Sequence, residues 1–169
     1  MNKAEGDVDQ LVRSTFFPTQ NYGVVVDVGA ARPDYISVSS LFRSIGWRVI
    51  SIEPNPEFCE FYRQRGLEVL QYACGSRDED NVDFFVVNSH GAPYANGNVS
   101  YESFCSLGIK PEYKTLKADL DVKRITVNLR KLDTILRAHA SDIDFIDLLS
   151  IDVADAMNKG TKSGVVVRR

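Results

Sequence analysis

Short runs of apolar residues alternate along the chain with segments in which apolar residues recur at helical spacing. Residues 23–29 form the first run, which is β-branched and ends in an acid and a glycine, as is typical of a buried parallel strand. The apolar residues that follow predict a helix over about 35–45, with Gly46 as its C-terminal stop. A second strand over 47–52 and a second amphipathic helix over 57–65 repeat the unit.

The alternation continues in the second half of the chain, with one irregular stretch. Residues 88–117 are rich in Gly, Pro, Asn, Ser and Tyr, a composition that fits a substrate lid, a binding segment or a disordered loop. The remaining elements show the apolar period expected of their type: strands over 67–73, 82–87, 124–128 and 145–151, and a helix over 131–139.

Strands that alternate with helices predict an α/β fold with a Rossmann-like, doubly wound and mostly parallel sheet. We divide the chain into an N-terminal extension over 1–21, a cofactor-binding domain over 22–153 and an atypical tail over 154–169. The tail lacks a helical apolar face, although a covering helix is expected after the buried strand over 145–151. We therefore expect the fold to be incomplete at its C-terminal end.

Composition and charge narrow the function classes. The net charge of −3 is small and the basic residues are scattered, so neither feature favours nucleic acid as a partner. Three widely spaced cysteines without zinc-binding spacing fit reduced thiols in the cytoplasm. The polar N-terminus and the lack of a long apolar run give no sign of a targeting segment or a membrane anchor. The oligomeric state is left open.

The candidate chemistry lies directly after the predicted strands, where ligands bind in open α/β sheets. Asp27 precedes Gly29, whose missing side chain allows a close backbone approach. Glu53 follows Asp27 by about 26 positions, near the roughly 20-residue spacing typical of the acid that binds ribose hydroxyls. The small residues at 73–75 leave room for a flat base, and Cys74 is expected to pack rather than react. These positions together predict a nucleoside-shaped slot.

The sequence of the loop after the first strand distinguishes between the possible cofactors. A dinucleotide site uses GxGxxG to bind a pyrophosphate, whereas this loop reads Gly29-Ala-Ala-Arg-Pro-Asp34 with one glycine. S-adenosylmethionine instead carries a sulfonium cation and an ammonium group, which carboxylates such as Asp27 and Asp152 attract. The residues thus favour S-adenosylmethionine, and an NAD-dependent oxidoreductase remains an alternative.

Several segments, in order along residues 22–153, resemble the FkbM-type family of S-adenosylmethionine-dependent methyltransferases. No single segment is specific, but their order and spacing form a strong signal. The segments that carry the resemblance are Asp27-Val-Gly-Ala30, Ser51-Ile-Glu-Pro-Asn-Pro56, Tyr72-Ala-Cys-Gly-Ser76, Leu132-Asp-Thr-Ile-Leu136 and Ile146-Asp-Leu-Leu-Ser-Ile-Asp-Val153.

The resemblance implies a role for each matching position. Asp27, Gly29 and Ala30 would line the methionine end of the cofactor, Glu53 and Pro54 the ribose, and Ala73, Cys74 and Gly75 the adenine. Ser37 is a further cofactor-binding candidate, although the loop before it is about one residue longer than the family pattern. Family members mostly methylate oxygen atoms of sugars or other small polar metabolites. We assign Asp152 the role of orienting or deprotonating the acceptor hydroxyl.

The chain departs from the family pattern after the last predicted strand. The family continues Asp-Val-Glu-Gly, whereas this chain reads Asp152-Val-Ala-Asp155. We therefore expect a premature end and keep two function classes. The first is an O-methyltransferase that acts on a small polar acceptor. The second is a truncated, non-catalytic homologue that acts through protein contacts or not at all.

Overall fold

The computed structural model of the protein describes residues 4–88, 105–107, 121–153 and 164–167. Most of residues 88–117, the stretch that fits a substrate lid, a binding segment or a disordered loop, lies outside these ranges. Along the chain the elements are a 3-10 turn Glu5–Asp7, α1 (Val8–Phe16), β1 (Val24–Val28), α2 (Val38–Ser44), β2 (Arg48–Ile52), α3 (Pro56–Gln64), β3 (Ala73–Cys74), β4 (Glu79–Asn88), β5 (Asp121–Arg130), α4 (Leu132–His139), β6 (Leu148–Ile151) and β7 (Gly164–Val167).

The first sheet has the strand order β2-β1-β6-β7. β1 is parallel to both β2 and β6, with Val26 opposite Ile50 on one side and Leu149 on the other. β7 pairs antiparallel with β6. The mixed α/β architecture and the parallel strands confirm the predicted Rossmann-like fold class.

Apolar side chains cover both faces of this sheet, because alternate residues of β1 point to opposite sides. On one face Val24, Val26 and Val28 pack with β2 and with Ile135 of α4. On the other face, Val25 packs in a cluster that also contains residues of the two N-terminal helices and the segments after them. The buried members of that cluster are Val12, Phe17, Val25, Phe42, Trp47 and Leu148. Helix α1 was not predicted, yet its Val12 and the adjoining Phe17 belong to this core.

The predicted strand over 67–73 is wrong in extent. Only Leu70 pairs with the first sheet, through a parallel bridge to Ile52. The next backbone hydrogen bond, from the Tyr72 N–H to the Leu70 carbonyl at 3.0 Å, is local and turns the chain away. Residues Ala73–Cys74 then pair with β5 in a second sheet of order β3-β5-β4. In that sheet β4 and β5 are antiparallel, which the alternating pattern did not predict.

Other predicted boundaries shift by a few residues. The helix predicted from about 35 begins at Val38, because Ile36 has a φ of +51° and cannot continue a right-handed helix. The strand predicted from 145 begins at Leu148, after Phe145, which is 52% exposed. β7 lies in the tail, where no strand was predicted. None of the described helices is both long and apolar enough to cross a membrane.

Candidate functional site

Asp27 is the centre of a buried polar cluster on the α2 face of the first sheet. Its register neighbours in β2 and β6 are Ser51 and Ser150, so the three side chains lie in one row across the sheet. The Asp27 carboxylate is 4% exposed and accepts hydrogen bonds from the Ser39 and Ser150 hydroxyls. Burial raises the pKa of Asp27, while these hydroxyls and the Arg43 guanidinium act in the opposite direction.

Arg43 completes this cluster from α2. Its Nη2 atom donates to the Ser51 hydroxyl at 3.1 Å and to the Ser39 hydroxyl at 3.5 Å. Its guanidinium also lies 5.7 Å from the centre of the Tyr62 ring. The buried acid therefore has a cation close by, which lowers the cost of keeping it ionised inside the fold.

Glu53 follows β2 and is also 4% exposed. Its Oε2 accepts from the Ala31 N–H at 2.9 Å, and its Oε1 accepts from the Asn55 N–H at 2.8 Å. Burial raises the pKa of Glu53 to about 7, and the two backbone hydrogen bonds act against this rise. Each carboxylate oxygen has two lone pairs, so both retain acceptor capacity for ligand hydroxyls. The side chain joins the loop after β1 to the start of α3.

Gly29 joins the ends of three strands. Its N–H donates to the Ile52 carbonyl at 2.9 Å, and the Asp152 N–H donates to the Val28 carbonyl at 2.9 Å. Gly29 has a φ of +77°, and a Cβ at this position would overlap the carbonyl oxygen of Asp152. We predicted that this glycine permits the close approach of a ligand. Among the described residues, the group that approaches Gly29 closely is the backbone directly after β6.

The loop from 30 to 37 lies against α3. The Tyr62 hydroxyl donates to the Ala30 carbonyl at 3.2 Å, and the Arg32 guanidinium lies 4.7 Å from the centre of the Phe61 ring. Ser37 is buried immediately before α2, with its hydroxyl oxygen 3.2 Å from that of Ser39. The contact of the α3 aromatic residues with this loop was not predicted from the sequence. Arg32, three residues after Gly29, was the feature of the sequence that could have indicated this contact.

The second sheet borders this region. Cys74 packs against the cluster that contains Val28 and Ile52, and burial raises the pKa of its thiol, as expected of a packed cysteine. Ala73 is buried, and a Cβ at Gly75 would lie 2.7 Å from Leu129. The segment 73–75 thus belongs to the second sheet, whereas Asp27 lies in the first sheet and Glu53 directly follows it. Cys74 nevertheless contacts the apolar core of the first sheet.

A further contact links α3 to the second sheet. The Asn55 side-chain nitrogen lies 3.9 Å from the Cys105 sulfur, and the Val87 N–H donates to the same sulfur at 3.4 Å. Asn55 is buried beside Glu53, and Pro54 between them is half-buried. The described part of the second sheet therefore reaches the edge at which β2 ends.

Three carboxyl groups interact at this edge. The charge of Asp152 raises the pKa of Asp27, and the charge of Asp27 raises the pKa of Glu53. Asp152 is exposed, whereas the other two are buried. A negative potential produced by adjacent acids favours a cationic ligand over a phosphate. The structure brings Asp27, Gly29, Ala30, Ser37, Glu53 and Asp152 together around the ends of β1, β2 and β6.

A comparison with models of known protein families gives a match. A family model described as the methyltransferase FkbM domain matches residues 27–155. The match begins at Asp27 and extends past Asp152, so it includes every residue of the acidic edge. Searches of curated proteins and of solved structures found no match to the chain.

Proposed function

The chain belongs to the FkbM methyltransferase domain family, and on that basis we propose that it binds S-adenosylmethionine and methylates a hydroxyl oxygen of a sugar or another small polar metabolite. The acceptor is a proposal drawn from the family resemblance. A cytoplasmic location is part of the same proposal, and the small number and wide spacing of the cysteines support it.

The observation that carries the proposal is the acidic edge around Gly29. Asp27 lies in β1, and Glu53 and Asp152 directly follow the adjacent strands β2 and β6. The three acids are close enough for their charges to interact. A sulfonium and an ammonium group fit this donor set, whereas a pyrophosphate would be repelled by it. Glu53 is the candidate for the ribose hydroxyls, because its carboxylate oxygens retain acceptor capacity.

The residues support a simple division of roles in catalysis. When bound, S-adenosylmethionine supplies an activated methyl group. Asp152 is exposed at the end of β6 and is our candidate to accept the proton of the acceptor hydroxyl. Gly29 and Ala30 hold the backbone that faces the methionine end, while Asp27 contributes negative charge from beneath it. Orientation of the acceptor and exclusion of water would supply most of the rate enhancement.

Binding of S-adenosylhomocysteine, followed by isothermal titration calorimetry, tests the cofactor part of the proposal. We expect wild-type protein to bind and Asp27→Asn to bind about tenfold or more weakly, a loss of about 1.4 kcal/mol. Asp83→Asn, an exposed acid of the second sheet, is the matched control and should bind as the wild type does. Failure of the wild-type protein to bind at millimolar ligand, or binding of NADH instead, would refute the proposal.

A second proposal is that the chain is a non-catalytic homologue that acts through protein contacts or not at all. Ala154 stands where the family pattern has an acid, and this substitution favours it. Incubation with methyl-labelled S-adenosylmethionine and a panel of monosaccharides separates the two proposals. Transfer of label to a sugar supports the methyltransferase, whereas cofactor binding without transfer to any acceptor supports the non-catalytic homologue.

A further inference from the structure

The loop between β1 and α2 adopts a backbone conformation that its residue types do not favour. Ala31 and Ile36 have positive φ values of +46° and +51°. Residues with a Cβ, and β-branched residues above all, rarely adopt this region unless their surroundings impose it. The contacts of the loop must therefore hold it in this conformation.

Two of these contacts involve the loop backbone. The buried Tyr62 of α3 donates its hydroxyl hydrogen to the Ala30 carbonyl at 3.2 Å. The Glu53 carboxylate accepts from the N–H of Ala31 at 2.9 Å. The Ala30 carbonyl and the Ala31 N–H are thus both held by side-chain hydrogen bonds. One side chain comes from α3, and the other directly follows β2.

Two further contacts involve loop side chains. Arg32 lies over Phe61, 4.7 Å from its ring centre, and over Phe58 at 5.7 Å. Arg65, directly after α3, forms an ion pair with Asp34 and lies 6.0 Å from the Phe61 ring. Phe61 is therefore close to two guanidinium groups, one from the loop and one from the helix end. Cation–π contacts of this kind are attractive at these distances.

We propose that α3 is the positioning element of the cofactor loop: Phe61, Tyr62 and Arg65 hold residues 30–34 in the conformation that presents Gly29 and Ala30 to the cofactor. The part of this inference that concerns the cofactor rests on the proposed function. The part that concerns the loop does not. Phe61, Tyr62 and Arg65 are positioning residues, since each acts through the loop.

Hydrogen exchange of the cofactor-free protein tests how the loop is held. Asp34→Arg and Arg65→Asp each break the ion pair, and the double variant restores it with reversed charges. We expect each single variant to raise amide exchange in the peptide that covers residues 29–37 by about threefold to fivefold, the upper part of the range for loss of an exposed ion pair. The double variant should return to within about twofold of the wild type.

Phe61→Leu provides a second variant that keeps an apolar side chain and removes the aromatic ring. It should raise exchange in the same peptide, because Arg32 loses its ring contact. Arg124→Asp breaks the similarly exposed ion pair with Asp83 in the second sheet and should leave the loop unchanged. Unchanged loop exchange in Asp34→Arg, Arg65→Asp and Phe61→Leu would overturn the inference, whether or not the protein binds a cofactor.

Titration with S-adenosylhomocysteine tests the consequence for binding. The single variants should bind up to about fivefold more weakly, the double variant should recover, and Arg124→Asp should match the wild type. Faster loop exchange with unchanged affinity would overturn the positioning role. If the wild-type protein does not bind, the proposed function fails, and the exchange data alone decide whether α3 holds the loop.

Discussion

At the scale of single residues, the buried carboxyl group of Glu53 links stability to pH. Burial raises its pKa from 4.5 to about 7, so the folded protein holds the proton more tightly than the unfolded chain does. The stabilising contribution of this proton is complete below about pH 4.5 and is lost as the pH rises through about 7.

We therefore predict that Glu53→Gln flattens the dependence of unfolding free energy on pH. Between about pH 5 and pH 8 the wild-type protein should lose on the order of 2 to 3 kcal/mol that the variant does not lose, since one unit of pKa shift corresponds to about 1.4 kcal/mol. Urea unfolding at a series of pH values measures this. Glu57→Gln, at an exposed position of α3, is the control, and an equal slope in both variants would contradict the prediction.

Gly29 gives a second prediction at this scale. Gly29→Ala should destabilise the protein by more than about 2 kcal/mol, because a positive φ adds to an overlap with the Asp152 backbone. Gly46→Ala is the matched control: its φ is +89°, but a Cβ there has no neighbour within 4 Å, so we expect a cost of about 1 kcal/mol. Chemical denaturation of both variants measures the difference, and equal losses would contradict the prediction.

The chemical identity of the candidate site could be inferred from sequence, but its contacts could not. Asp27, Gly29 and Glu53 were found because each follows a recognisable apolar strand. The hydroxyls of Ser39 and Ser150 around Asp27 depend on strand register and on how α2 packs, and one sequence does not specify these. The two backbone N–H groups on Glu53 likewise come from separate turns.

At the scale of elements, helix α4 depends on a residue distant in sequence. Lys131 precedes the helix and makes no capping hydrogen bond with its own side chain. The side chain of Asp78 caps the helix instead. Its carboxylate accepts hydrogen bonds from the Lys131 N–H at 2.7 Å and from the Thr134 hydroxyl at 2.9 Å. The hydrogen bond from Lys131 lowers the pKa of Asp78. The stabilisation is therefore present above the ordinary pKa and lost as the pH falls through the lower, folded-state value.

We predict that Asp78→Ala lowers the melting temperature at neutral pH by removing this cap. The difference from the wild type should shrink at an acid pH below the lowered pKa of Asp78, where the carboxylate of the wild type is protonated. Circular dichroism melts at both pH values measure the effect. Asp144→Ala, an exposed acid between α4 and β6, is the control, and a shift as large as that of Asp78→Ala would argue against the cap.

Among the elements predicted best are two strands whose pattern reflects burial on both faces. β1 and β2 are short β-branched runs, and their predicted and observed ranges agree within one residue at each end. The strand predicted over 67–73 failed because an apolar run does not show where pairing changes from one sheet to another. The late start of α2 follows from the positive φ of Ile36, a conformation that its residue type does not predict.

At the scale of the whole molecule, the N-terminal helix is part of the core of the first sheet. Phe17, directly after α1, contacts Phe42 and Trp47 edge-on, with ring centres 6.2 and 4.9 Å apart. We predict that Phe17→Ala lowers the free energy of unfolding by about 3 to 5 kcal/mol, the usual cost of removing a buried phenylalanine. Phe16→Ala, at a side chain that is 40% exposed, should cost much less. Urea denaturation of both variants measures this, and equal losses would contradict the prediction.

The fold class could be predicted at this scale because alternating strands and helices have few stable arrangements. The second sheet could not, since β4 and β5 pair across a long separation in sequence and antiparallel to each other. The N-terminal helix escaped prediction because few apolar residues mark its buried face. Its place in the core follows from the aromatic cluster around Phe17.

That aromatic cluster also gives the protein an intrinsic fluorescence probe. The chain has a single tryptophan, Trp47, which is 3% exposed and lies between Phe17 and Phe42. Indole emission moves to longer wavelength when water reaches the ring. A red shift that precedes the loss of far-ultraviolet ellipticity would therefore record undocking of the N-terminal helix as a separate event, without any attached dye.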